Sequence, residues 1–234
     1  MRPLAPAVAV MAKTPGAGAV KSRLHAALTP ERATELYRCF LLDRLDAVAG
    51  LRDVSPIVAF TPAESEPVMK ELVPSGFDLV PQRGADLGER LAALLAGLLE
   101  RGHAGAIAID SDSPTLPMTY VAEAARLLAD DRPDVVLGPC EDGGYYLIGL
   151  RAPQPALFEG IPWSTSAVFA LTLGKARARA VRARAPALVR RGHGERSAAA
   201  PRRDHEQPRR SGAHRRVRPA AAVTGVGMRV RRAR

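Results

Sequence analysis

Apolar and polar positions in the first 174 residues follow two alternating patterns. Short apolar runs stand at 8–11, 56–60, 77–80, 104–109, 134–137 and 145–150, each of strand length. Segments with helical spacing lie between them. The one at 30–49 follows Thr29, a good N-cap type, with Pro30 in its first turn and Arg32 and Glu35 on its outer face. The stretch 87–101 places Leu91, Leu94, Leu95, Leu98 and Leu99 at intervals of three and four, which predicts a helix with one face against a sheet. Shorter helices are expected at 63–72 and 119–128, and a last one from Ser164 or Thr165. Short strands separated by longer helices predict an α/β, Rossmann-like fold in which helices flank a mainly parallel sheet.

From about Lys175 the periodicity stops. Residues 175–234 hold 19 of the 34 Lys and Arg but only 3 of the 24 Asp and Glu, a net charge of +16. Residues 1–174 carry 15 basic and 21 acidic residues, a net of −6, so the overall +10 belongs to the tail. Two regions are therefore expected: a folded unit at 1–174, and an Arg/Ala/Pro-rich tail at 175–234. Such a tail cannot bury enough apolar surface to offset its ordering entropy, and disorder is expected of it. Its alternation of Arg with Ala, Pro and Gly is also what a GC-rich gene yields in a shifted reading frame. No aromatic residue follows Phe169 to stack on bases, so nucleic acid is not an expected partner. No apolar run approaches the roughly 18 residues that cross a bilayer, and no leader pattern opens the chain; a cytoplasmic protein without membrane contact is expected. Cys39 and Cys140 lie in apolar segments with no Cys or His at zinc spacing, and read as buried free thiols.

Three segments carry chemistry. The apolar run ending at Ile109 leads straight into Asp110-Ser-Asp-Ser-Pro-Thr-Leu-Pro117. Ligands of open α/β sheets bind outside the carboxyl ends of strands, and an Asp-x-Asp pair there offers oxygen ligands for Mg²⁺ or Mn²⁺. No basic residue lies between Ala104 and Thr119, so Asp110 and Asp112 should repel each other unless a cation or proton intervenes. The plainer reading makes Asp112 or Ser113 a cap of the next turn. Directly after the first strand, Lys13, Gly16, Gly18, Lys21 and Arg23 combine backbone that a phosphate can approach with positive charge. The spacing is neither that of a P-loop nor Gly-x-Gly-x-x-Gly, and an exposed turn with solvated lysines fits too. Third, Glu141 and Asp142 precede Gly143, Gly144 and Tyr145. The acids could orient acceptor hydroxyls, the glycines leave room for a ligand and Tyr145 wall a pocket; equally, Glu-Asp-Gly-Gly makes a hairpin turn. Trp163 packs before the last helix or lines the acceptor pocket.

Five motifs in order, Met11-Ala-Lys-Thr-Pro-Gly16 with Val20-Lys-Ser-Arg-Leu24, Gln82-Arg-Gly84 with Asp86-Leu-Gly-Glu-Arg90, Asp110 to Pro117, Glu141-Asp-Gly-Gly-Tyr-Tyr146 and Ile161-Pro-Trp-Ser-Thr165, span residues 8–172. They resemble a bacterial glycosyltransferase-A-like family long labelled a domain of unknown function. Some of its members carry the name arsenosugar-biosynthesis glycosyltransferase, and it is more distantly similar to the molybdenum-cofactor and 2-phospholactate guanylyltransferases. The resemblance implies a glycosyltransferase-A fold, a nucleotide held by the first loop and by Asp86, Gly88 and Arg90, and a metal on Asp112 with Asp110 in support. Such proteins close with a further strand and an Asp-x-Asp-Thr-like motif, which nothing after Lys175 matches.

The expected activity is that of a metal-dependent glycosyltransferase with a nucleotide-sugar donor and a small-molecule acceptor. Lys13, Lys21 and Arg23 would face the diphosphate, Asp112 would hold Mg²⁺ or Mn²⁺, and Glu141 and Asp142 would orient the acceptor near Gly143, Gly144, Tyr145 and Trp163. The alternatives are a guanylyltransferase-like nucleotidyltransferase acting on an NTP, and an inactive nucleotide-binding protein.

Overall fold

The computed structural model describes residues 3–16, 28–113, 115–130, 133–179 and 181–184. The strands are β1 (Ala7–Lys13), β2 (Ser55–Thr61), β3 (Asp78–Pro81), β4 (Ala106–Asp110), β5 (Val135–Pro139), β6 (Tyr145–Leu150) and β7 (Ala183–Arg184). The helices are α1 (Pro30–Ala49), α2 (Glu66–Leu72), α3 (Leu87–Glu100), α4 (Met118–Ala129) and α5 (Val168–Ala178). The strands form one sheet in the order β3-β2-β1-β4-β6-β5-β7. Only β6 runs against its neighbours, antiparallel to β4 and β5. The other pairings are parallel. The expected α/β, Rossmann-like architecture is the observed one.

Side-chain size divides the two faces of the sheet. On one face Val8, Val10, Val58, Phe60, Ile107 and Ile109 pack with Leu41 and Leu45 of α1 and Val121 and Leu128 of α4. On the other, Ala7, Ala9, Ala59, Ala106 and Ala108 leave shallow ground that Leu91, Leu94, Leu95 and Leu98 of α3 fill. Burial on both faces explains why the central strands read as continuous apolar runs rather than as alternating ones.

Helix α1 has the expected bounds, with the Thr29 hydroxyl accepting from the Arg32 amide. The last helix starts at Val168, later than expected, because Ser164 takes a left-handed φ of 66° that no helix contains. Cys140 is buried as expected. Cys39 is exposed, lying outside the inward stripe of α1 that runs through Tyr37, Leu41, Leu45 and Val48.

The folded unit also continues past the composition break. Helix α5 runs on to Ala178 with Ala176 fully buried, and β7 pairs with β5. The cause is Asp134, whose carboxylate accepts from Arg151 Nη2 at 3.0 Å and from Arg182 Nε and Nη2 at 3.1 and 3.0 Å. These arginines hold the Asp134 carboxyl well below the usual carboxylate range. Arg182, which looks like tail composition, is therefore a partner of the domain. The rest of the tail expectation, from residue 185 on, lies outside the described residues. No helix among the described residues is long and apolar enough to cross a membrane.

A chain ended at Gly174 should be less stable than one ended at Arg184. It loses the buried Ala176 and the partly exposed Asp134–Arg182 pair, together about 1–2 kcal/mol, or about 2–8 °C in melting temperature. Folding lowers the pKa of Asp134, so its share of this difference is full above the unfolded carboxylate pKa near 3.9 and fades as the pH falls below it. Thermal melts of both chains at pH 7 and pH 3 measure this. Equal melting temperatures at pH 7 would return the boundary to residue 174.

Candidate functional site

The chain leaves β1 toward β2 and β3 on one side and returns through α3 to β4 on the other. Connections diverge at such a point, and a crevice opens outside the carboxyl ends of the strands. A cleft of about 540 Å³ lies there. Lys13 and Thr61 reach it from the ends of β1 and β2, Asp110 and Asp112 from the end of β4, and Asp86 and Arg90 from the start of α3.

Backbone accounting explains why these ends hold their shape. Past β3, Gln82 donates its amide to Phe60 O at 2.8 Å, and its Nε2 donates to Ala12 O at 3.1 Å and Ala59 O at 2.7 Å. One side chain thus ties the ends of three strands together. Asp86 is the N-cap of α3, its Oδ1 accepting from the Glu89 amide at 2.8 Å, while Glu89 Oε2 accepts from the Ala85 amide at 2.8 Å. Arg90 Nε donates to Gly84 O at 3.0 Å. The segment 84–90 is in this way a fixed wall of the cleft.

The acidic loop has an asymmetry that the Asp-x-Asp spacing hides. Asp110 turns back on its own loop: Oδ1 accepts from the amides of Asp112 at 3.3 Å and Ser113 at 3.1 Å, and Oδ2 accepts from the Ser113 hydroxyl at 2.8 Å. Asp112 is exposed on the cleft. A cation is also present beneath the loop. Arg44 of α1 is 2% exposed, and its Nη2 donates to the Ser113 carbonyl. Burial lowers the Arg44 pKa from the usual arginine value, against which the Asp110 charge acts. The local sequence indeed offers the two carboxylates no basic residue, and the charge that acts on Asp110 comes from Arg44 of α1. The structure also bears on the plainer reading of this loop, because the residue that caps the turn is Asp110.

Tyr37 of α1, 3% exposed, forms part of the cleft floor. Its hydroxyl accepts from the Lys13 amide at 2.9 Å and lies 3.1 Å from the Ser111 hydroxyl. Burial pushes the phenol up to about 12, opposed by those hydrogen bonds and assisted by the charges of Asp112 and Asp110, so it is neutral at physiological pH.

Other expected site residues fall elsewhere. Residues 140–144 form the β5–β6 hairpin turn, with the Gly144 amide donating to Asp142 Oδ1 at 2.9 Å. Because β6 is antiparallel to β4, this turn stands at the same end of the sheet as Asp112, yet Glu141 and Asp142 are not in the cleft lining. The room expected beside Gly143 is filled: its φ is 83°, and a Cβ there would strike the Ser166 backbone. Gly88 likewise faces Trp163 rather than the cleft, a Cβ on it falling 2.9 Å from the indole. Trp163 also meets Tyr145 edge to face at 6.4 Å, so it packs the segment before α5 against the starts of both α3 and β6. Ser164, next to it, does reach the cleft. Gly16 is exposed beyond β1, and Gly18, Lys21 and Arg23 lie outside the described residues.

Sequence reasoning missed Tyr37, Arg44 and the role of Gln82. Arg44 had a signal, since it stands in the inward stripe of α1 between Leu41 and Val48. Among the described residues no three His, Cys, Asp or Glu side chains gather in a metal-holding group. Two carboxylates nevertheless fit Mg²⁺ or Mn²⁺, because Mg²⁺ sites in nucleotide enzymes take one or two carboxylates and complete their shell with phosphate oxygens and water.

A cleft at the switch point of a mainly parallel, helix-flanked sheet, with an acidic loop on one wall, is the arrangement of a Rossmann-like α/β fold with its site at the strand ends. The chain belongs to the family described as "Uncharacterized protein conserved in bacteria (DUF2064)", whose model matches residues 44–165. Among solved structures it is similar to a candidate nucleotide-diphospho-sugar transferase from Desulfovibrio desulfuricans G20. The two are 28% identical over 80% of this chain and 82% of that chain, with a TM-score of 0.73. It shares its fold with CMP:2-keto-3-deoxy-manno-octonic acid synthetase complexed with CTP, at 12% identity over 79% of this chain and 90% of that one, TM-score 0.51. No curated protein gives a significant match.

Arg44→Met should leave the Ser113 carbonyl without its buried donor and lower stability by about 1–3 kcal/mol, read as a fall in the urea midpoint. An unchanged midpoint would show that the acidic loop does not depend on Arg44.

Proposed function

We propose that the chain is a metal-dependent glycosyltransferase that takes a nucleotide-sugar donor and a small-molecule acceptor. The supporting observation is that Lys13, Arg90 and Asp112 line one cleft, whose size suits a nucleotide and its sugar. The similar Desulfovibrio protein favours a nucleotide-diphospho-sugar over a nucleoside triphosphate as the donor.

In this reading Lys13, with Lys21 and Arg23 from the following segment, faces the diphosphate. The fixed wall at 84–90 borders the nucleoside. Asp112 is the direct ligand of a divalent cation, and Asp110 positions Asp112 by holding the loop amides. When bound, Mg²⁺ or Mn²⁺ offsets the negative charge of the departing nucleoside diphosphate. The residues otherwise contribute orientation and a preorganised field, the main terms in transfers that need little covalent help from the protein. Glu141 and Asp142, at the same end of the sheet, orient the acceptor from the hairpin turn.

Asp112→Asn should lower Mn²⁺-dependent binding of the donor by more than about 100-fold in calorimetry, with melting temperature unchanged or raised. Asp110→Asn should cost less affinity but lower the melting temperature, since Asp110 accepts three loop hydrogen bonds. Release of a nucleoside diphosphate in turnover assays supports glycosyl transfer. Release of pyrophosphate from a nucleoside triphosphate would replace it with nucleotidyl transfer. Identical metal dependence in wild type and Asp112→Asn would move the metal centre away from Asp112.

A further inference from the structure

The floor of the cleft contains a line of hydrogen bonds that the proposed chemistry does not use. The Lys13 amide, at the end of β1, can only donate, and does so to the Tyr37 hydroxyl at 2.9 Å. The Tyr37 hydroxyl also lies 3.1 Å from Ser111 Oγ, a contact in which either hydroxyl can donate. Ser111 in turn points its hydrogen at Asp112 Oδ1, a longer contact of 3.5 Å to a group that accepts when ionised. These contacts connect the end of β1 to the carboxylate of Asp112. Tyr37 is 3% and Ser111 5% exposed, which keeps water from substituting for either hydroxyl.

We propose that Tyr37 and Ser111 are positioning residues that couple Lys13, at the end of β1, to Asp112, so that nucleotide and divalent cation each bind more tightly in the presence of the other. This rests on the nucleotide and metal reading above. Lys13 is the last residue of β1 and opens the segment assigned to the diphosphate, and its amide position is shared with Tyr37. A phosphate that settles this backbone also settles the phenol, then Ser111, then the carboxylate that meets the cation. Asp112 gains orientation at no cost in charge, since both intermediates are neutral hydroxyls. Such coupling is reciprocal: the factor by which nucleotide tightens the cation equals the factor by which the cation tightens nucleotide.

Titration calorimetry tests the line. Mn²⁺ is titrated into wild type, Tyr37→Phe and Ser111→Ala, each alone and with a saturating nucleoside diphosphate chosen from UDP, GDP, CDP and ADP by thermal shift on wild type. Tyr37→Phe keeps the buried ring and removes only the hydroxyl. Wild type should bind Mn²⁺ more tightly with nucleotide than without, and both variants should reduce that ratio by about 3- to 10-fold, the span of one hydrogen bond. The double variant should lose no more than either single one, because each cut opens the same line. If Tyr37→Phe misfolds, Ser111→Ala supplies the same reading. A ratio equal to wild type in the folded variants overturns the coupling while leaving the proposed function intact. A wild type that binds neither Mn²⁺ nor any of the four nucleotides overturns both.

Discussion

A mainly parallel sheet covered by helices on both faces can present polar groups only at the ends of its strands. That constraint organises the molecule. The central strands are apolar from edge to edge because neither face meets water, and the residues that break the pattern, Lys13, Thr61 and Asp110, are the last of their strands. The alanines of β1 and β4 on the α3 side are part of the same arrangement. By letting α3 lie close to the sheet, they bring its capped start, with Asp86 and Arg90, up against the same strand ends.

Beneath the acidic loop the structure accepts an unfavourable element. A guanidinium at 2% exposure has lost most of its hydration, and its Nε has no partner among the described residues. Desolvation of this kind is recovered only in part by the Ser113 carbonyl and the nearby Asp110. The arrangement gives a turn of short polar residues a fixed underside, and so lets one carboxylate face the cleft while the other is held by its own backbone. Two acids one residue apart thereby acquire different surroundings.

The fold was largely legible because its signals are local. Thr29 and Pro30 mark the start of α1 and the leucine spacing marks α3, while a strand running into Asp110 marks the cleft without reference to distant residues. What stayed hidden depends on partners far along the chain. Tyr37 meets Ser111 across 74 residues, and Arg44 meets Ser113 across 69. Glycine was ambiguous for another reason: the absence of a side chain at Gly88 and Gly143 leaves space that a ligand or the protein itself can fill, and here Trp163 and Ser166 fill it. Ordered structure past Lys175 was not legible because composition treats Arg182 as one of many tail arginines, whereas Asp134 selects it.

The capture of Arg182 has a consequence at the border of the sheet. Without β7, the outer side of β5 would offer its amides and carbonyls to any extended chain, the geometry through which sheets recruit one another into aggregates. Among the described residues β7 covers that side along Val135 and Val136, and the arginines at 182 and 184 bring positive charge to it. The segment that looks least like part of a fold is the one that keeps β5 from becoming a template.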